Sequence, residues 1–136
     1  ITFNGNAEAA FNFYKDVFGV EFTAFMRWSK NPSCDQFSEE DKNKVMHASL
    51  SIGSGGIMGN DFVPVMPGQT YSTGNNFTIT AAPDSKEEAD RLYARLSEGG
   101  TAMMPMQITF WGGYFGALGD KFGVQWMIHF DPRIAG

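Results

Sequence analysis

The chain opens on a short alternating stretch, ITFN, and then changes period. In AEAAFNFYKDVF the residues Ala7, Ala10, Phe11, Tyr14 and Phe18 recur at the spacing of one helix face. Asn6 stands where an N-cap belongs and Gly19 where a helix stops, so the pattern predicts a helix over 7–18. The signature returns in SKEEADRLYARLSE, residues 85–98, with Ala89, Leu92, Tyr93 and Leu96 on one stripe. There Ser85 and Glu88 form a capping box, and Gly99 and Gly100 end the run. Ala10, Phe13, Tyr14 and Val17 match Ala89, Leu92, Tyr93 and Leu96 at one constant spacing, the mark of an internal repeat.

Around the helices the period falls to two, the signal of half-buried strands. VMHASLSI sets Met46, Ala48, Leu50 and Ile52 against His47, Ser49 and Ser51. VQWMIHF sets Val124, Trp126, Ile128 and Phe130 against Gln125, Met127 and His129. NNFTIT sets Phe77 and Ile79 against Asn76, Thr78 and Thr80. VEFTAFMRW, GIMGND, TAMMPMQ and GYFGALGD supply the other strands, joined by hairpins marked by Gly and Asp. Each half therefore reads strand, helix, strand, strand, strand. The expectation is an α+β fold in a single domain over 1–136, with module 1 at about 1–61, a Pro- and Gly-punctuated linker at 62–74 and module 2 at about 75–130. One face of each sheet packs on its helix. The other carries small polar groups, a histidine and a methionine, and with its Gly-rich strands it is expected to wall a cleft. Residues 29–43, polar and charged, are expected to be disordered rather than a lid.

Composition narrows the partners. A chain of 136 residues with 43% hydrophobic content can bury one core, and its net charge of −5 opposes a phosphate backbone, so no nucleic-acid partner is expected. Cys34 is the single cysteine, which excludes an internal disulfide and a cysteine-based structural zinc site and suits a reducing cytoplasm. No apolar run approaches the roughly 18 residues of a membrane span, and no signal peptide is visible, so no membrane partner is expected. The chain starts at Ile1, within a strand and without an initiator Met, so a few preceding residues are expected.

FNGNAEAAFNFYKDVFG, VMHASLSIGSGGIMGND, GNNFTIT and TFWGGYFGALGDKFGVQWMIHF together resemble the PhnB-like branch of the vicinal oxygen chelate superfamily, the glyoxalase, bleomycin-resistance and dioxygenase group. The resemblance covers nearly the whole chain. It implies paired βαβββ modules forming a half-open curved barrel around a cleft, within a homodimer. It also implies four metal positions, which fall just before Ile1, near Gly59, at Asn76 and at Met127. Glycine and a thioether cannot replace carboxylates around a hard divalent ion, so no metal ligand and no cofactor is assigned. A divalent metal at a non-standard site, built from His47 and His129 with Asp61 or Glu21, is the variant left open.

The candidate ligand-binding residues are His47, Ser49, Asn76, Thr78, Trp111, Tyr114, Gln125, Met127 and His129; no catalytic residue is assigned. Trp28, Trp111, Tyr114 and Phe115 could stack a flat ligand, and the acidic balance suits a cationic one. Trp111 and Tyr114 flank a glycine hairpin, as platform or as core plug. Met103, Met104 and Met106 either line an adaptable pocket or fill the core. GSGG is read as a hairpin turn, since no helix follows it, and Cys34 as a bystander thiol. Three functions stand open: a small-molecule binder, a lyase, isomerase or dioxygenase with an altered metal site, and a dimeric structural or regulatory protein with a vestigial cleft.

Overall fold

A computed structural model describes residues 1–134. Its contacts divide the chain into two units, Ile1–Ser72 and Thr73–Gly136. The first holds β1 (Thr2–Phe3), α1 (Ala7–Phe18), β2 (Phe22–Arg27), α2 (Glu39–Asn43), β3 (Val45–Ile52) and β4 (Gly55–Asp61). The second holds β5 (Ile79–Ala81), α3 (Lys86–Ser97), β6 (Thr101–Ile108), β7 (Tyr114–Gly119) and β8 (Gln125–Phe130). The sheet orders are β1-β4-β3-β2 and β5-β8-β7-β6, each with one parallel pair at the start and antiparallel hairpins after it. The fold class is therefore α+β, built of two βαβββ modules.

In the first unit α1 buries Ala7, Ala10, Phe11, Tyr14 and Val17 against β3 and β4. Val17, not Phe18, completes the buried stripe, because 7, 10, 14 and 17 run along one helix face while Phe18 lies at its margin. Gly59 makes room for this packing: a methyl group there would lie 2.4 Å from Phe11 Cε2. Gly19, at φ 63°, ends α1 as expected, with the Val20 N–H donating to the Lys15 carbonyl. Asn6 does not cap with its side chain. Asp61, at the end of β4 and only 2% exposed, takes that role instead. Its Oδ1 accepts from the Gly5 and Ala7 N–H groups at 3.0 and 2.9 Å, and its Oδ2 from Val45 N–H at 2.9 Å. One carboxylate thus ties the starts of α1 and β3 to the end of β4.

In the second unit Ala89, Leu92 and Leu96 of α3 pack on a sheet face that buries Leu118, Trp126 and Ile128. Ser85 Oγ accepts from Glu88 N–H at 3.1 Å, while the Glu88 carboxylate is engaged by Arg91 at 2.6 and 2.8 Å; only the serine half of the predicted capping box is seen. Asp120, 5% exposed, accepts from Phe122 N–H, Val124 N–H and Trp126 Nε1–H and closes the β7–β8 turn.

Two further expectations, on the 29–43 stretch and on NNFTIT, need correction. The stretch 29–43 is ordered: two 3₁₀ turns, Trp28–Lys30 and Cys34–Gln36, lead into α2, whose start is capped by Ser38 Oγ accepting from Asp41 N–H. The Trp28 ring packs edge-on to Phe37 at 5.1 Å, so this polar loop carries its own small apolar contact. The strand read from NNFTIT begins only at Ile79, where pairing with Trp126 starts; Asn76 precedes it and Phe77 is 54% exposed rather than core. The stretch from Phe62 to Ser72 belongs to the first unit, held by Phe62 N–H on the Phe3 carbonyl and Tyr71 Oη–H on the Thr2 carbonyl.

Candidate functional site

Which way each strand residue faces follows from pairing. Ala48 and Gly59 are paired and Gly59 faces Phe11, so Ala48 and Leu50 face α1, and the intervening His47 and Ser49 face away. Met26 lies opposite His47 and Met58 opposite Ser49 on that open face. Thr23 and Ser49 share a hydroxyl hydrogen bond of 2.6 Å beside them. Met58 is 63% exposed.

The second sheet repeats the arrangement. Gly116 faces Tyr93 of α3, so Leu118, Trp126 and Ile128 face the helix, and Phe115, Ala117, Gln125, Met127 and His129 face away. Thr80 lies beside Met127, and Met104 and Gln107 lie opposite Ala117 and Phe115. Thr78 Oγ1 donates to Gln125 Oε1 at 3.5 Å, and the Phe115 and His129 rings meet edge-on at 6.3 Å. His129 Nε2 is buried with no hydrogen-bond partner among the described residues. Leaving such an atom unsatisfied costs about 1–3 kcal/mol.

Trp111 sits in the β6–β7 hairpin, where Thr109 N–H donates to the Gly113 carbonyl and Gly112 adopts φ 91°. It is 45% exposed and packs edge-on to Phe110, so it is not a core plug. A methyl group at Gly113 would lie 2.7 Å from His129 Nε2 and 2.8 Å from Trp111 Nε1; the indole and the imidazole close on the same glycine. Next to His129, Ala82, Pro83, Asp84, Asp131 and Ile134 line a pocket of about 120 Å³. Arg133 grips Asp131 through its Nε and Nη2 and its backbone N–H, which holds the Asp131 carboxyl down at about 2.

The structure thus brings Thr78, Gln125, Met127 and His129 together on one open face, with Trp111 at its hairpin, and places His47 and Ser49 on the equivalent face of the first unit. Asn76 lies exposed in the approach to β5. Tyr114 parts from the group. It shares the register of Gly116 and Leu118, its hydroxyl donates to Asp90 of α3 and Lys86 lies 4.9 Å from its ring centre, so it faces the helix. The neighbouring Asp90 carboxylate pushes the phenol pKa up. Trp28 packs within its own loop, while Phe115 does reach the open face. Met106 lies against Gly116 and fills the helix side, whereas Met104 lies on the open face. Gln107 is an addition that the alternation of TAMMPMQ could have supplied once one side was known. GSGG forms the β3–β4 hairpin turn around Gly53 and Ser54, with Gly53 at φ 57°.

The residues present do not fit the family's metal. The Gly59 position faces Phe11 in the core, the Met127 position offers a thioether, and Asn76 an amide. The non-standard set fits no better. Both oxygens of Asp61 are spent on backbone N–H groups, and Glu21 lies 3.2 Å from Lys15 Nζ. Among the described residues no three His, Cys, Asp or Glu side chains are grouped to hold an ion.

With this repeat and these two open faces, the chain belongs to the glyoxalase/bleomycin resistance protein/dioxygenase superfamily, whose pattern matches residues 2–128. It is 31% identical to the protein YjdN of Escherichia coli K12, over 95% of this chain and 90% of that protein. Protein PA1353 of Pseudomonas aeruginosa is similar in structure, at TM-score 0.83 and 36% identity, covering 96% of this chain and 93% of that one. The PhnB protein from Bacillus cereus follows at TM-score 0.74 and 25% identity, covering 96% and 95%. The PhnB-like resemblance of the sequence is thus shown. No described helix is long and apolar enough to cross a membrane.

Proposed function

We propose that this PhnB-like protein binds a small molecule on the open faces of its sheets. One observation carries the reading: Thr78, Gln125, Met127 and His129 share one face, with Met127 36% exposed and a buried imidazole nitrogen left without a partner. An accessible apolar floor with a few hydrogen-bonding groups is the usual make-up of a ligand site. Ser49 and His47 furnish a similar floor on the first unit, and Trp111 adds a stacking ring at the hairpin. The bleomycin-resistance members for which the superfamily is named make binding without turnover a role within its range. A lyase, isomerase or dioxygenase reaction is the weaker reading, since the family's ligand positions hold groups that do not fit its metal.

The protein is further proposed to form a homodimer through the β6 edge. That strand pairs on one side only, and Met103, Ile108 and Phe110 are exposed at 58, 73 and 99%. The single cysteine accords with a cytoplasmic home. The binding reading is tested by screening a small-molecule library for thermal stabilisation. A true ligand at 100 times its Kd should add about 2.7 kcal/mol, and Gln125→Leu should remove that gain. A screen with no stabilising compound, or hits indifferent to Gln125→Leu, would count against it.

A further inference from the structure

The chain carries 25 charged side chains, 10 basic and 15 acidic. Among the described residues, no Asp, Glu, Lys or Arg occupies an open-face position of either sheet. What stands there is thioether at Met26, Met58, Met104 and Met127, imidazole at His47 and His129, and otherwise hydroxyls, amides, small residues and Phe115.

The charged groups lie on the helix faces and loops, and many are already paired. Arg27 forks onto Glu8 at 2.9 and 3.0 Å, Lys44 meets Asp41 at 2.8 Å and Arg91 meets Glu88 at 2.6 Å. In the pocket of about 270 Å³ that Arg27, Glu8, Glu40 and Lys44 line, the charges satisfy one another. The charges nearest the candidate site stand at its His129 end, where Asp84 and Asp131 line the adjoining pocket and Asp131 is paired with Arg133; the sheet faces themselves carry none.

Resting on the binding reading above, we infer that the ligand is an uncharged, polarisable aromatic molecule and not the cation that overall charge suggests. An ion laid on a face without fixed charge sheds hydration and meets no counter-charge. An aromatic ring instead gains sulfur contacts from the methionines, whose unbranched side chains adapt to its outline. The Phe115 ring offers a further edge or face. Gln125, Gln107 and Thr78 can orient hydroxyl, carbonyl or ring nitrogen groups without asking for charge.

The test uses the full chain with ¹³C-methyl methionine and three probes sharing one ring system: 2-naphthol, 2-naphthoate and 2-naphthylmethylammonium, at neutral pH. Neutral 2-naphthol should shift the methyl resonances of Met104 and Met127, or of Met26 and Met58, and bind at least about tenfold more tightly than either ion. Equal or tighter binding of an ion at those methyls would overturn the ligand class while leaving small-molecule binding intact. Met127→Glu, or Met58→Glu where the first unit's methyls respond, each at an exposed position, should favour the ammonium and disfavour the naphthoate several-fold each. No change in that preference would place the probes elsewhere and overturn the inference. If no probe of any charge moves these methyls, the binding reading itself fails. If the Met26, Met58 or Met127 methyls move instead on dilution of the protein alone, a second copy covers the face and the inference fails with it; Met104, in β6, is left out because the proposed dimer edge would move it too.

Discussion

Replacing Asp61 by Ala would strip three backbone N–H groups of their acceptor at once. The Ala7 and Val45 donors are buried and the Gly5 donor is half-buried, at 2.9, 2.9 and 3.0 Å from the carboxylate. An unsatisfied buried donor costs about 1–3 kcal/mol. Water can relieve Gly5 but not readily the other two, so the loss should be about 3–5 kcal/mol, a large share of the ~5–15 kcal/mol that stabilises a typical domain. With a urea m-value of ~2 kcal/mol/M, the midpoint should fall by about 2 M. Asp61→Asn keeps one oxygen for the two donors that share Oδ1 and turns an NH₂ toward Val45, so it should lose roughly half as much. Asp16→Ala, at an exposed position of α1, should stay within about 0.5 kcal/mol. Urea unfolding of the three variants decides the matter. A loss below about 1 kcal/mol for Asp61→Ala would show that the three bonds are replaced by water, and would refute the view of Asp61 as the tie of the first unit.

Gly59→Ala should destabilise by about 1–3 kcal/mol in the same assay, because its methyl would overlap Phe11 and approach the Ile1 carbonyl at 3.1 Å; an unchanged midpoint would mean that Phe11 moves freely. Asp131 should titrate at about 2, below the ordinary 3.8, so its contribution to stability is present above pH ~4 and is lost as pH falls through about 2. Carboxyl NMR should show this, and Arg133→Gln should return the midpoint toward 3.8; a wild-type midpoint near 4 would contradict the Arg133 clamp. Gly113→Ala would press on both His129 Nε2 and Trp111 Nε1, and it should weaken ligand binding about tenfold with the chain still folded. Unchanged affinity, measured by calorimetry, would remove the hairpin from the site.

Much of this architecture is readable as period. The helices at 7–18 and 85–98 and the outward facing of His47, Ser49, Gln125, Met127 and His129 follow from spacings of 3.6 and 2 along uninterrupted elements. Tyr114 was not readable in that way. GYFGALGD has adjacent aromatics among glycines, so alternation does not say which ring faces α3; the Asp90 bond and the Gly116 packing decide it. Nor was Asp61, whose partners at Gly5 and Ala7 are more than fifty residues away and leave no local signature. Asn6 has the composition of a cap, but a carboxylate from another strand already occupies the role. The loop at 29–43 reads as too polar to fold, yet a Ser38 cap, the Trp28–Phe37 contact and the Lys44–Asp41 pair hold it. Net charge has a related blind spot: composition counts charges without saying which face of a strand they avoid.

The most direct test of ligand binding on the open faces is a crystal structure of the full chain with a compound recovered from the thermal screen. The compound should lie on an open face, touching Gln125, Met127 and His129 with Trp111 beside it, or on the matching face at His47 and Met58. A compound seated instead among Arg27, Glu8 and Lys44 on the helix side would contradict it.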